Sequence, residues 1–171
     1  MIYNGNNNPN TLEVNVTGLS TGSIYSFQVL AINYNGLGPL SNELQQIVCL
    51  PPASLVTPFY LSSTTQSINL GWSAPLFDGG CPIYSYQLWR NNGDGTTPSI
   101  QVDSTIITGK PYLTSYNVTG LTNTGLPYLF YLVALNEVGS VTSSTVSIIL
   151  AAVPDTPTNI VTQIYAESSG S

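Results

Sequence analysis

The sequence has no histidine, and its two basic residues, Arg90 and Lys110, stand against eight acidic ones. Without histidine neither a Ser-His-Asp nor a Cys-His arrangement can be assembled within the chain, which excludes hydrolase chemistry of that type. Two cysteines cannot close a four-ligand zinc site by themselves. Two cations cannot neutralise a run of phosphates, so nucleic acid and anionic membrane surfaces are poor partners. No stretch approaches the roughly 20 apolar residues of a membrane-spanning helix, and no basic segment followed by an apolar one opens the chain, so no membrane contact is expected within it. Charged residues make up only 6% of the sequence, where an ordinary soluble domain carries about 25%. Neutral hydroxyls, amides, sugar or another protein must therefore cover the surface.

The few acids do not suggest a catalytic pair. Glu13, Glu43, Asp78, Asp94, Asp103, Glu137, Asp155 and Glu167 are scattered over loops and strand ends without implying a shared cleft. No enzyme activity and no cofactor is expected. Asp94 beside Asn91 and Asn92 is the one arrangement that could hold calcium. Asn-Gly and Asp-Gly are also ordinary hairpin-turn chemistry, and the turn is the simpler reading. No metal site is assigned.

What the chain does have is a repeat. Apolar and polar residues alternate from Tyr25 to Asn33, which marks a half-buried strand with Tyr25, Phe27, Val29 and Ala31 on one face. The segment Tyr128 to Asn136 carries the same inward set at Tyr128, Phe130, Leu132 and Ala134. Asn-Val-Thr-Gly-Leu precedes each strand, at Asn15–Leu19 and Asn117–Leu121, while Gly36 and Pro51 are answered by Gly139 and Pro154. A third copy opens late, where Ile160 to Tyr165 echoes Leu55 to Tyr60. A period near 100 residues suits independently folding sandwiches in a row better than solenoid units. Helical periodicity is missing, and Gly, Pro, Asn and Asp clusters punctuate the chain. The pattern predicts an all-β fold with strands near 54–61, 66–73, 83–90, 98–104, 113–118, 127–136 and 143–151, seven in two sheets.

These residues resemble the fibronectin type III family. Trp72 falls where the family has its core tryptophan. Asp78-Gly79-Gly80-Cys81-Pro82-Ile83, followed by Tyr86 and Leu88, is similar to its loop and third strand. Thr119-Gly120-Leu121 followed by Tyr128 looks like its leucine and tyrosine corner, with Leu19 and Tyr25 matching in the earlier copy. The resemblance implies tandem immunoglobulin-like sandwiches: residues 1–48 as the C-terminal part of one repeat, 49–153 as a complete repeat, and 154–171 as the start of a further one. Residues 1–48 lack the first three strands and need completion from elsewhere; an excerpt from a longer repeat protein is favoured over strand exchange between short subunits. In the family's topology Cys49 and Cys81 fall at the same pole, which implies a disulfide between them.

Three surface features remain. Asn15 and Asn117 each open an Asn-X-Thr sequon, and alternation turns both outward, so both are expected to carry N-linked glycan. On the outer side of the strand 127–136, Leu129, Tyr131, Val133 and Leu135 occupy positions that should be polar. Trp89 joins them from the neighbouring strand. An apolar outer stripe of this kind marks a partner surface, for like repeats or neighbouring chains in head-to-tail or lateral assembly. The resulting expectation is a non-catalytic structural array of an extracellular or cell-surface fibre. An adhesion or receptor ectodomain binding a protein or glycan is the alternative, and an intracellular sarcomere-like scaffold a third.

Overall fold

A computed structural model describes residues 2–122, 125–150 and 156. The expected third copy, 154–171, lies outside the described residues apart from Thr156. Strands run in chain order as β1 (Ile24–Phe27), β2 (Leu30–Asn33), β3 (Gly36–Leu40) and β4 (Leu44–Ile47), then β5 (Phe59–Ser63), β6 (Ser67–Gly71), β7 (Ser85–Arg90) and β8 (Ile100–Val102). A single helical turn, α1 (Ser104–Ile107), leads to β9 (Ser115–Thr119), β10 (Pro127–Leu135), β11 (Ser140–Thr142) and β12 (Val146–Ile149).

From β5 onward these strands make a two-layer antiparallel sandwich. One sheet is β5-β6-β9; the other is β8-β7-β10, with β11 and β12 both on the free side of β10. Alternation fills the space between them. Ile68 and Leu70 from β6 and Val118 from β9 meet Tyr86 and Leu88 from β7 and Tyr128, Phe130 and Leu132 from β10, all buried. Each large side chain removed from water in this way stabilises the fold by roughly 1.5–3 kcal/mol. Trp72 continues the β6 ladder by donating its main-chain N–H to Thr114 O at 2.8 Å, and packs its ring 6.0 Å from that of Tyr86.

Three elements differ from the pattern-based expectation. The first strand begins at Phe59 instead of near 54, because Ser54 takes a positive φ of 60° and Pro58 has no N–H to offer a ladder. Ala53 instead bridges Phe77. The last strand, expected over 143–151, spans only Val146–Ile149 and is preceded by the separate β11, since Ser143 substitutes its side chain for ladder hydrogen bonding. Its Oγ accepts from Leu132 N at 3.0 Å and donates to Ser144 O at 2.8 Å. The loop before β9 contains α1, whose Ile107 is wholly buried and plugs the core.

Residues 24–47 repeat the β10–β12 unit in miniature. β1 pairs with β4 and β2 with β3, as β10 pairs with β12 and β11. Ser41 Oγ accepts from Val29 N at 3.0 Å, the counterpart of Ser143 and Leu132. The single strand expected over 25–33 is interrupted at Gln28 and Val29, however. β10 is zipped along Phe130–Leu135 by β7, and among the described residues the first copy has no such partner. Val29 is accordingly 73% exposed where Leu132 is 0% exposed. The sequons diverge for the same reason. Asn117 lies exposed on β9 with Val118 buried, β9 being held by β6. Asn15 is exposed too, but Asn15–Thr17 forms no strand, because a counterpart of β6 is missing among the described residues.

The paired serines give an internal control. Ser143→Ala leaves the buried Leu132 N–H without its acceptor, and is expected to lower stability by about 1–3 kcal/mol. Ser41→Ala removes the equivalent bond where water can replace it, and should change denaturant unfolding by less than about 0.5 kcal/mol. Chemical denaturation of the two variants side by side checks the difference.

Candidate functional site

Two places combine unusual residues with unusual geometry: the joint between the copies, and the outer face of the larger sheet. The joint is built from the linker inward. Val48 O accepts from Gly22 N at 2.7 Å and Val48 N donates to Ser23 O at 3.0 Å, which ties the linker to the end of the first copy. One residue on, Cys49 is disulfide-bonded to Cys81, with Cα atoms 5.6 Å apart. Leu50 N then donates to Gly79 O at 2.9 Å. In this way residues 48–50 become part of the second sandwich while still bonded to the first copy.

Asn136, at the end of β10, holds the other side of that linker. Its Nδ2 donates to Leu50 O at 2.7 Å and to Asp78 O at 2.8 Å. Its Oδ1 accepts from Val138 N and Gly139 N, both at 3.0 Å. The side chain is 3% exposed, so a buried amide has its donors and acceptor fully employed, as burial requires. Gly79 and Gly80 make the approach possible. Both have positive φ, 80° and 76°, and a Cβ on Gly79 would collide with the Leu50 carbonyl. A Cβ on Gly80 would stand 2.6 Å from Gly22 N. Only glycine meets the conformational and the steric demand together.

The disulfide joins the two cysteines that the family resemblance paired. Asn136 and Asp78 were missed as joint residues. The signal available was that Asn33 and Asn136 close the two repeated strands at matching positions. Near the joint, Tyr25 Oη accepts from Ser20 N at 2.9 Å, and this main-chain N–H is the main cause that lowers the Tyr25 hydroxyl below the ordinary tyrosine range. Tyr128 Oη accepts from Thr122 N at 3.3 Å in the second copy, the tyrosine-corner bond anticipated for both.

The outer face has the predicted alternation. Leu129, Tyr131, Val133 and Leu135 are half-buried and alternate with the buried Tyr128, Phe130, Leu132 and Ala134. Tyr131 sits opposite Trp89 across β7 and β10, their rings 6.1 Å apart and 10° from parallel. Trp89 Nε1 donates to Gln87 Oε1 at 3.3 Å, and Gln101 faces Trp89 from β8. The stripe is thus an aromatic pair bordered by neutral amides. Asp94, by contrast, is used by a turn: its Oδ1 accepts from Thr96 N at 3.1 Å and from Thr96 Oγ1 at 2.6 Å, bonds that hold its carboxyl below the ordinary range. Asn91 Oδ1 accepts from Gly93 N and Leu129 N. Asp94 Oδ1 and Asn91 Oδ1 are thus engaged in holding the turn and its edge to β10.

An antiparallel two-sheet sandwich with a bonded linker, whose buried Asn91, Asn136 and Ser143 side chains are bonded to main chain, defines a protein of the immunoglobulin-like class. Residues 56–149 match the fibronectin type III domain model, and the chain belongs to that family. A striated-muscle M-protein from Gallus gallus is 34% identical over 130 residues, spanning 72% of this chain and 8% of that protein. A Kelch domain-containing protein from Saccharolobus solfataricus is 30% identical over 154 residues, 88% of this chain and 19% of its own length. The cell adhesion molecule Dscam2 of Drosophila melanogaster is 31% identical over 128 residues, 75% of this chain and 6% of that molecule. A crystal structure of titin domains superposes with a TM-score of 0.58 at 21% identity, over 77% of this chain and 42% of that one, and shows the shared fold. The chain therefore spans less than a fifth of each of these curated relatives. The likeness supports a structural or adhesive role, and the relatives' names point to no single compartment.

Truncating the joint amide should be costly. Asn136→Ala removes the partner of two carbonyls and two N–H groups in a part-buried setting, for an expected loss of roughly 1–3 kcal/mol. Asn136→Asp keeps an acceptor but sets a carboxylate against the Leu50 and Asp78 carbonyls, which raises its folded-state pKa. Its deficit should grow as pH rises through that value and shrink in mild acid, where the protonated carboxyl can donate. Thermal melts of both variants near neutrality and at about pH 4 measure this.

Proposed function

We propose that the chain is part of a non-catalytic structural repeat array of an extracellular or cell-surface fibre, in which sandwiches are spacers and their outer faces are assembly surfaces. The observation that carries this reading is the joint. A linker bonded on one side to Gly22 and Ser23 and on the other to Gly79, Cys81 and Asn136 fixes one module to the next, which is what a rod requires and an isolated binding domain does not. In this reading 1–48 is the C-terminal part of one repeat, 49–153 a complete repeat and 154–171 the start of another. The exposed inner residue Val29 of the first part supports a reading in which that face is covered by a partner strand.

The assembly surface is the stripe of Trp89, Leu129, Tyr131, Val133 and Leu135, offered to like repeats or neighbouring chains. Asn15 and Asn117, both exposed, carry N-linked glycan, which hydrates a surface poor in charge. A disulfide is consistent with an oxidising compartment. An adhesion ectodomain is the second reading, favoured by the similarity to a cell adhesion molecule. Its ligand would be a protein or glycan.

Negative-stain imaging of native material separates the two: regular filaments are expected, and discrete single particles would favour the ectodomain. Peptide mapping after enzymatic deglycosylation should find aspartate at positions 15 and 117. Unmodified asparagine at both would remove the glycan from the reading and weaken the extracellular placement.

A further inference from the structure

We propose that the joint is a load bypass: tension along the array enters the second sandwich at Cys81, and the intact disulfide holds β5 and β6 out of the load path. This rests on the array reading only for where tension comes from. The geometry itself belongs to the single chain.

The first strand after the linker, β5, is an edge strand. β5 pairs with β6 on one side, its ladder shifts register between Tyr60 and Ser62, and Phe59, Tyr60 and Leu61 are each about half exposed at 49%, 51% and 47%. If the covalent path ran through residues 49 to 59, tension would first load the bonds of Leu50 to Gly79 and Asn136 and the reciprocal pair between Ala53 and Phe77, and then peel β5 from its edge, one ladder bond at a time. The disulfide closes a separation of 32 residues that contains both β5 and β6. Force then passes from Cys49 through the two sulfurs to Cys81 and on to β7. β7 is an interior strand, paired with β8 on one side and β10 on the other. β12, by which the chain leaves the sandwich, also pairs with β10. Entry and exit are thus carried by one sheet, and residues 50–80 bear no tension.

The staple is not repeated at the following linker of this sequence. At the matching place in the next linker, Ala151-Ala152-Val153-Pro154 answers Val48-Cys49-Leu50-Pro51, with alanine where the first linker has cysteine. The bypass can also be opened. Cys81 is 2% exposed while Cys49 is half-buried, so a dithiol reductant has its approach from the Cys49 side. Its thiolate attacks the Cys49 sulfur, Cys81 leaves as the thiolate, and the second thiol of the reductant displaces Cys49. The products are two protein thiols and the oxidised reductant.

Single-molecule pulling on the full chain by its ends, with and without dithiothreitol, tests the bypass. With the bond intact the second sandwich is expected to open in one step. With the bond reduced, an earlier step at lower force should release β5, and the total length gained should rise by roughly 11 nm, the extended span of the freed loop. A reduced chain that opens in one step at the force of the oxidised chain would overturn the proposal, as would a released length that dithiothreitol does not change. Reduction of the native protein, with circular dichroism confirming that the fold survives, avoids reliance on a cysteine variant that fails to fold. Discrete particles in the images of native material would defeat the array reading and leave this measurement standing.

Discussion

The pairing of β7 with β10 is the interaction on which the rest of the molecule depends. Six cross-strand pairs, from Arg90–Phe130 to Ser85–Leu135, run along it, and it presents Tyr86, Leu88, Phe130 and Leu132 together to the opposing sheet. The chain shows both states of this constraint. In the second copy, β10 is a nine-residue strand with its inner positions buried. In the first, the same alternation without a β7 partner among the described residues gives two four-residue pieces and an exposed Val29. Identical local patterning thus forms a hairpin by itself but a continuous strand only when zipped on both sides, because each added ladder fixes the pleat that alternation merely permits.

The joint depends on the same strand at its far end. β10 places Asn136 where the chain turns back, and the amide there is directed at the linker and the loop of Asp78 by its own acceptor bonds to Val138 and Gly139. The hydrogen bonds that orient Asn136 and those by which it holds Leu50 are different bonds on one small group. This is why the joint needs so few residues. The two glycines remove the atoms that would keep the linker away, and the disulfide makes the approach covalent.

Alternation and turn chemistry sufficed to read most of the fold. The inward set of β10 and the all-β class follow from residues within a few positions of one another, whereas the tyrosine corners were reached through the family resemblance. What could not be read locally depends on distant partners. Ser143 interrupts the last strand because Leu132 N finds its hydroxyl, and a serine in an otherwise alternating segment carries no mark of that. Asn136 closes a strand in sequence but serves the linker 86 positions away, a relation that only the folded sandwich creates. The break in the first copy's strand was illegible for the opposite reason, since the residues are right and the neighbour is absent among the described ones. The cysteine pairing was reached through family topology, which carries the three-dimensional information that one sequence lacks.

The scarcity of charge acquires a physical sense from these bonds. The buried polar residues include Ser85, Asn91, Asn136 and Ser143, and each is bonded to main chain by a neutral hydroxyl or amide: Ser85 Oγ accepts from Gly109 N, Asn91 from Gly93 and Leu129, Ser143 from Leu132. Ion pairs at such places would carry a desolvation penalty of several kcal/mol per ion and would weaken with salt at any exposed edge. Neutral groups avoid the first and are indifferent to the second. They also do not titrate, so the four bonds that Asn136 makes in the joint are the same across the range of pH in which carboxylates and histidines change charge. In the proposed array, a linker held by neutral amide bonds and a covalent bridge would pass position from one module to the next through contacts that salt does not screen.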